Sequence, residues 1–405
     1  MIQQVFIFVD IRILLELLMQ IKFRSCSPIL GGFLLILCFA FYSLHSFEYF
    51  ALAGRAALVS SIIGIVVVGG IVLFKTRKLP AYLVWLVYFS MAVFFIYALS
   101  SYEWRSLFRG LQVVITIAIV LSAFLYGAHS SVLFGRLLFW SSFFSLLVLI
   151  VFGPLFFEGA RASFQNANSL GLAGYVLLSL IMFSYGGGFW KWILSLLAVW
   201  LIVLSGSRAS LLAVLMFFIT YWAMPLLRKY QAIFVIYLLL LLGGGFFLIL
   251  FVTGVVAEDW MAYFDALSRE YFNKRIESGR NEVWSHVVEL IKEKPFWGWG
   301  GGVVLSDLSQ WDYSVHNLYL QVLLQVGLVG LFGVIFLILI LWFGLFSVAC
   351  DRYGRVAASS FVGLLVVQFF EVSFFQNNLA LSLPIMILVG VALGRQNAFL
   401  MVANK

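Results

Sequence analysis

Three residues stand where their side chains have chemistry to offer: Arg208, Arg280 and His316. Arg208 lies in VLSGSRASLLAV, at the junction of two apolar segments. An arginine at such a boundary is costly unless it meets water, a partner or a ligand. A snorkelling anchor or a topology charge is its plain reading. The small and hydroxyl-bearing neighbours Gly206, Ser207 and Ser210 favour a negatively charged ligand group instead. Arg280 lies in IESGRNEVW, just ahead of an amphipathic stretch, where pairing with Glu277 or Glu282 is the plain reading and Arg275 competes for any role. Two arginines from distant parts of a chain suit a diphosphate, because guanidinium forks match phosphate oxygens bidentately and stay charged. His316 opens HNLYLQVLLQVGLVGLFG. Imidazole titrates near neutral pH and suits a general base at a lipid–water boundary, with a structural histidine the equal alternative. Asn317, next to it, would orient a substrate or the loop end.

Accessory candidates are fewer. RASFQNANSLG, from Arg161 to Gly171, supplies amides such as Asn168 that would hydrogen-bond sugar hydroxyls or cap a helix. Glu371, in FFEVSFFQNN, is a carboxylate in an apolar run, a functional candidate or the structural partner of an arginine. His45, His129 and His286 have no comparable setting, and Cys26, Cys38 and Cys350 show neither metal spacing nor a disulfide framework. FWGWGGG, from Phe296 to Gly302, is not a phosphate loop, because no Gly-Lys-Ser/Thr follows. No metal site and no cofactor is expected.

The elements that must position these residues are membrane helices. The chain is 64% hydrophobic and only 10% charged, against about 25% charged in soluble domains. Apolar runs of about 20 residues separated by short polar turns predict an all-α polytopic membrane protein of about twelve spans, not a barrel. The spans are expected near residues 28–46, 56–74, 79–100, 107–127, 137–157, 167–186, 189–205, 209–226, 231–254, 317–349, 356–375 and 377–395. The tenth is too long for a simple crossing, so its start near His316 reads as a separate short or tilted piece. Residues 1–27 read as an amphipathic cytoplasmic segment at the membrane surface, 28–254 as spans one to nine, 255–316 as an extramembrane loop, 317–395 as the last three spans and 396–405 as a cytoplasmic tail.

Charge sets the orientation. One set of turns holds Lys22, Arg24, Lys75, Arg77, Lys78, Arg136, Lys191, Arg228, Lys229, Arg352, Arg355 and Arg395; the other short turns hold Arg55, Arg105, Arg109, Arg161 and Arg208. The positive-inside rule places the first set in the cytoplasm and the 255–316 loop outside. The net charge of +8 is then mostly a topology signal, and no nucleic-acid partner is expected. Within the loop, Glu282 to Lys294 predicts an amphipathic helix with Val283, Trp284, Val287, Val288 and Ile291 on one face, stopped by Pro295.

SGSRAS, SGRNEVW, PFWGWGGG and HNLYLQVLLQVGLVGLFG, with RASFQNANSLG ahead of them, resemble the signature of the bacterial O-antigen ligase and polymerase superfamily over residues 160–335. The resemblance implies a metal-independent, inverting glycosyltransferase of GT-C-like fold in the inner membrane, with its site facing the periplasm. Its donor would be a glycan on undecaprenyl diphosphate, and its acceptor lipid A–core in a ligase or a second lipid-linked glycan in a polymerase. It implies that Arg208 and Arg280 bind the donor diphosphate, with Arg275 as competitor, and that His316 activates the acceptor hydroxyl. Membrane lipid and a chain-length regulator are the further partners it suggests. The well-formed GSR and HN-x-x-L signatures favour the ligase. A flippase for lipid-linked glycans is the rival from another class, and it should show internal repeats and charged or broken helices near mid-membrane.

Overall fold

The computed structural model describes residues 80–101, 103–127, 132–155, 167–185, 188–253, 280–310, 314–376 and 379–403, with Tyr263, Ala266 and Glu270. The N-terminal segment, the expected spans at 28–46 and 56–74, Arg161 and Arg275 lie outside these residues. The described residues form helices and no strand: α1 (Ala81–Ser100), α2 (Trp104–Gly127), α3 (Val132–Leu155), α4 (Ala167–Phe183), α5 (Gly188–Ser205), α6 (Arg208–Lys229), α7 (Gln231–Val252), α8 (Arg280–Glu293), the short α9 (Leu305–Leu308), α10 (Leu318–Val348), α11 (Arg352–Val367) and α12 (Leu379–Ala403). Helices satisfy their own backbone, which apolar sequence in lipid requires. Among the described residues, α1, α2, α5, α6, α7 and α10 are long and apolar enough to cross a membrane, while apolar stretches within α3, α4 and α12 are shorter.

The bundle is organised by α2 along α12, α6 along α11, α4 along α5, and α1 against both α2 and α10. Its two ends differ in charge. At one end Arg228 Nε donates to Phe346 O, Arg352 Nη2 to Met182 O and Lys191 Nζ to Ser184 O, while Arg355 and Arg395 lie over the Tyr221 and Tyr353 rings. All five belong to the first charge set. Arg208 begins α6 at the other end, about 33 Å away along a 22-residue helix.

Two elements depart from the sequence expectation. The run expected to span 356–375 is helical only to Val367, and 368–376 is irregular. Gln368 explains the stop. Its Oε1 accepts from Ser373 N (3.0 Å) and Phe374 N (2.9 Å), and its Nε2 donates to Ser373 Oγ (2.9 Å). One side chain thus replaces the helical hydrogen bonds and folds FFEVSFF back on itself. The last helix also continues past the expected tail boundary, to Ala403.

The long α10 breaks at Gly327, whose φ of 64° and ψ of −161° are non-helical. The FWGWGGG turn fills the break. Leu328 N donates to Pro295 O (2.8 Å), Trp299 N to Leu324 O (2.8 Å) and Gly300 N to Gln325 O (2.9 Å). Gly298 has φ 67°, and a Cβ there would lie 2.5 Å from the Gln325 carbonyl. Gly298→Ala is therefore expected to cost more than about 1 kcal/mol, read as a lower unfolding temperature in detergent. Unchanged stability would mean that the turn does not seat on α10.

Candidate active site

The amphipathic helix α8 anchors one side of His316. Val283, Trp284, Val287 and Leu290 are its buried face, with Val288 and Ile291 partly buried beside them. Trp284 Nε1 donates to Val315 O (2.9 Å), tying the helix to the residue before His316. On the other side Asn317 is fully buried, and its amide is spent inwards: Oδ1 accepts from Leu320 N (3.0 Å) to cap α10, and Nδ2 donates to Phe369 O (3.0 Å). Leu318 N reaches Gln368 O (2.9 Å). These two bonds tie the loop end to α10 and to Phe369.

Between these anchors His316 adopts φ 47°, the left-handed region that a non-glycine residue enters at a cost of about 1–3 kcal/mol. Its Nδ1 lies 3.3 Å from Glu371 Oε2. The imidazole side chain is 40% exposed and the carboxylate 7%, so the histidine faces outward and the glutamate holds it from within. An ionised carboxylate accepts only, so this contact favours the tautomer with the proton on Nδ1 and the lone pair on Nε2. Glu371 Oε1 accepts from Asn168 Nδ2 (2.7 Å), and Ser207 Oγ donates to Asn168 Oδ1 (3.2 Å). The chain His316–Glu371–Asn168–Ser207 therefore joins four distant segments.

Ser207 also caps α6, accepting from Ser210 N (3.3 Å), and Arg208 is the first residue of that helix. Arg280 is the first residue of α8, not a loop residue ahead of it. Arg280 Nη2 donates to Phe370 O (3.2 Å), and its guanidinium packs 5.5 Å from the Phe370 ring centroid. Burial pulls the Arg280 pKa down from its usual value; the Glu371 carboxylate opposes that, and the Arg208 guanidinium adds to it. Arg280 thus lies within electrostatic reach of both Arg208 and Glu371. Both guanidiniums sit at helix N-termini, where the macrodipole favours anions over cations. The two helix N-terminal dipoles add to the positive potential of the guanidiniums. An anion of high charge suits that place.

Sequence reading missed Ser207 as a tether, Gln368 as the organiser of 368–376 and Trp284 as the His316 anchor. The capping pattern of SGSRAS was the one available signal. Among the described residues no three His, Cys, Asp or Glu side chains cluster around a point that a metal would occupy. If His316 is the base that the sequence leads one to expect, Glu371→Gln lowers its turnover roughly 10²-fold, within the range a positioned base contributes, because an amide does not stabilise an imidazolium as a carboxylate does. Turnover and donor half-saturation, measured separately, should show the loss in turnover. An equal rise in donor half-saturation would assign Glu371 to the anion site instead.

Residues 193–335 match a protein-family model described as O-Antigen ligase. That interval contains Arg208, Arg280 and His316, while Asn168 and Glu371 lie outside it. No curated protein matches the chain.

Proposed function

We propose, with support from the match of residues 193–335 to the O-Antigen ligase family model, that the chain is a member of the O-antigen ligase and polymerase superfamily and transfers a glycan en bloc from undecaprenyl diphosphate to a sugar hydroxyl of lipid A–core. The observation that carries this reading is the His316–Glu371 pair with Arg280 in electrostatic reach both of its carboxylate and of Arg208. A base and a diphosphate clamp side by side are what glycosyl transfer from a lipid diphosphate needs.

In this mechanism the acceptor O–H gives its proton to His316 Nε2 as its oxygen attacks the anomeric carbon. The bond from that carbon to the diphosphate oxygen breaks, and its electron pair leaves with undecaprenyl diphosphate. One displacement inverts the anomeric centre. Arg208 and Arg280 offset the charge that grows on the leaving diphosphate, so their stabilisation is larger in the transition state than in the bound donor. Glu371 offsets the positive charge on the imidazole. Diphosphate is already a good leaving group, and the reaction needs no metal. The sparse basic set at the site end of the bundle supports a site that faces the periplasm from the inner membrane.

Reconstitution tests this directly. The purified protein, supplied with an undecaprenyl-diphosphate-linked repeat unit with or without lipid A–core, should form product only with lipid A–core. A ladder of lipid-linked multimers formed without it would make the protein a polymerase. Movement of donor between leaflets with no transfer would sink the enzyme reading. A chelator should leave the rate unchanged, and a loss that Mg²⁺ restores would contradict the metal-free mechanism.

A further inference from the structure

The 368–376 segment carries contacts on both sides of the base. Phe370 O lies under Arg280 and Glu371 holds His316. Five residues on, Gln376 Nε2 donates to Gln325 Oε1 (2.8 Å) and to Tyr97 OH (3.0 Å). Five residues span at most about 17 Å, so a short stretch of chain links the Glu371 contact to the Tyr97 contact. Tyr97 in turn lies within electrostatic reach of Arg109.

Arg109 is half-buried on the second turn of α2, and its side-chain hydrogen bond among the described residues is a long one, to Gln112 Oε1 at 3.4 Å. No carboxylate pairs with it among the described residues. Arg105, one turn earlier, pairs at 3.3 Å with Asp307, whose Oδ2 also accepts from Val304 N. Like charges four apart on a helix repel, and a cation drawn into a membrane helix marks function by default. Beside them Ser106 Oγ and Gln376 Oε1 are buried without a hydrogen-bond partner. The glycine turn links this corner to the start of α10: Gly301 N donates to Ser100 Oγ at the end of α1, and Val303 O accepts from Gln321 and Gln325 on the first turns of α10. The 368–376 segment and the first turns of α10 thus connect His316 to a second pair of arginines, which the proposed transfer does not use.

We propose that Arg105 and Arg109 form a second anion site, which holds a phosphate of the lipid-anchored acceptor and so presents its hydroxyl to His316. This rests on the transferase reading. The phosphate belongs either to lipid A–core or to the diphosphate of a second lipid-linked glycan. Both are membrane-anchored phosphate esters, and the same two guanidiniums fit either.

The test uses the full chain in nanodiscs with an undecaprenyl-diphosphate-linked glycan as donor. Acceptor is titrated as lipid A–core, as dephosphorylated lipid A–core, or as the lipid-linked glycan itself. The double variant Arg105→Gln/Arg109→Gln should raise the acceptor concentration for half-maximal rate at least tenfold and leave donor half-saturation unchanged. Arg109→Lys should recover part of the loss. A defect that disappears with dephosphorylated lipid A–core identifies that phosphate as the ligand, and one seen only with the lipid-linked glycan identifies the second diphosphate. Asp307→Asn breaks the ion pair and spares both cations, so it should leave acceptor dependence near normal. An equal defect in Asp307→Asn would make the arginines structural and overturn the proposal. So would unchanged acceptor dependence in the double variant, or equal use of phosphorylated and dephosphorylated acceptors by a native protein that does not polymerise. No transfer by the native protein would overturn the transferase reading as well.

Discussion

His316→Ala is expected to reduce transfer by about 10²–10⁴-fold, the contribution of a positioned general base, while the protein remains expressed and inserted. Donor half-saturation should hardly move, because the diphosphate clamp is intact. The backbone supplies a sharper version. His316 stands at φ 47°, a conformation that glycine adopts without strain. His316→Gly should therefore lose transfer to the same extent with no loss of thermal stability. A structural histidine would behave in the opposite way, with stability falling and activity following it. Retained activity in either variant would remove the general-base assignment. The anchors on both sides, Trp284 to Val315 and Asn317 to Phe369, are what hold the strained residue in place.

The second large effect belongs to the arginines. Arg208→Ala is expected to lower the rate about 10²–10³-fold, the range found when one preorganised charge stabiliser is removed. Arg280→Lys should be impaired to a similar degree although it keeps the charge. Arg280 is half-buried, and its guanidinium both donates to Phe370 O and packs on the Phe370 ring. A lysine ammonium cannot hold that plane and reach a diphosphate in a fork at once. Rates measured with saturating donor separate lost transition-state stabilisation from lost binding. Near-normal turnover in Arg280→Lys would move the clamp elsewhere, and Arg275 is then the residue to substitute next.

Much of this was legible one residue type at a time. Arg208, Arg280 and His316 stood out because charge and imidazole are expensive in apolar sequence. The amphipathic helix was legible because its apolar spacing is local, and the division of α10 because a 31-residue apolar helix is too long for a simple crossing. Composition and periodicity were thus enough for an all-helical membrane fold and for singling out three residues whose groups are costly in it. Pairing was a different matter. Glu371 and His316 are 55 residues apart, and Asn168 and Glu371 are 203 apart, so no spacing rule connects them. The end of α11 at Val367 was hidden for a related reason: FFEVSFF reads as continued span until Gln368 is seen to replace the backbone bonds. The sequence by itself determined which groups are too costly to be idle, because transfer cost is a property of single residues. Only the tertiary structure decided which of them act together, because hydrogen bonds and charge interactions depend on distances of a few ångströms that chain separation does not encode.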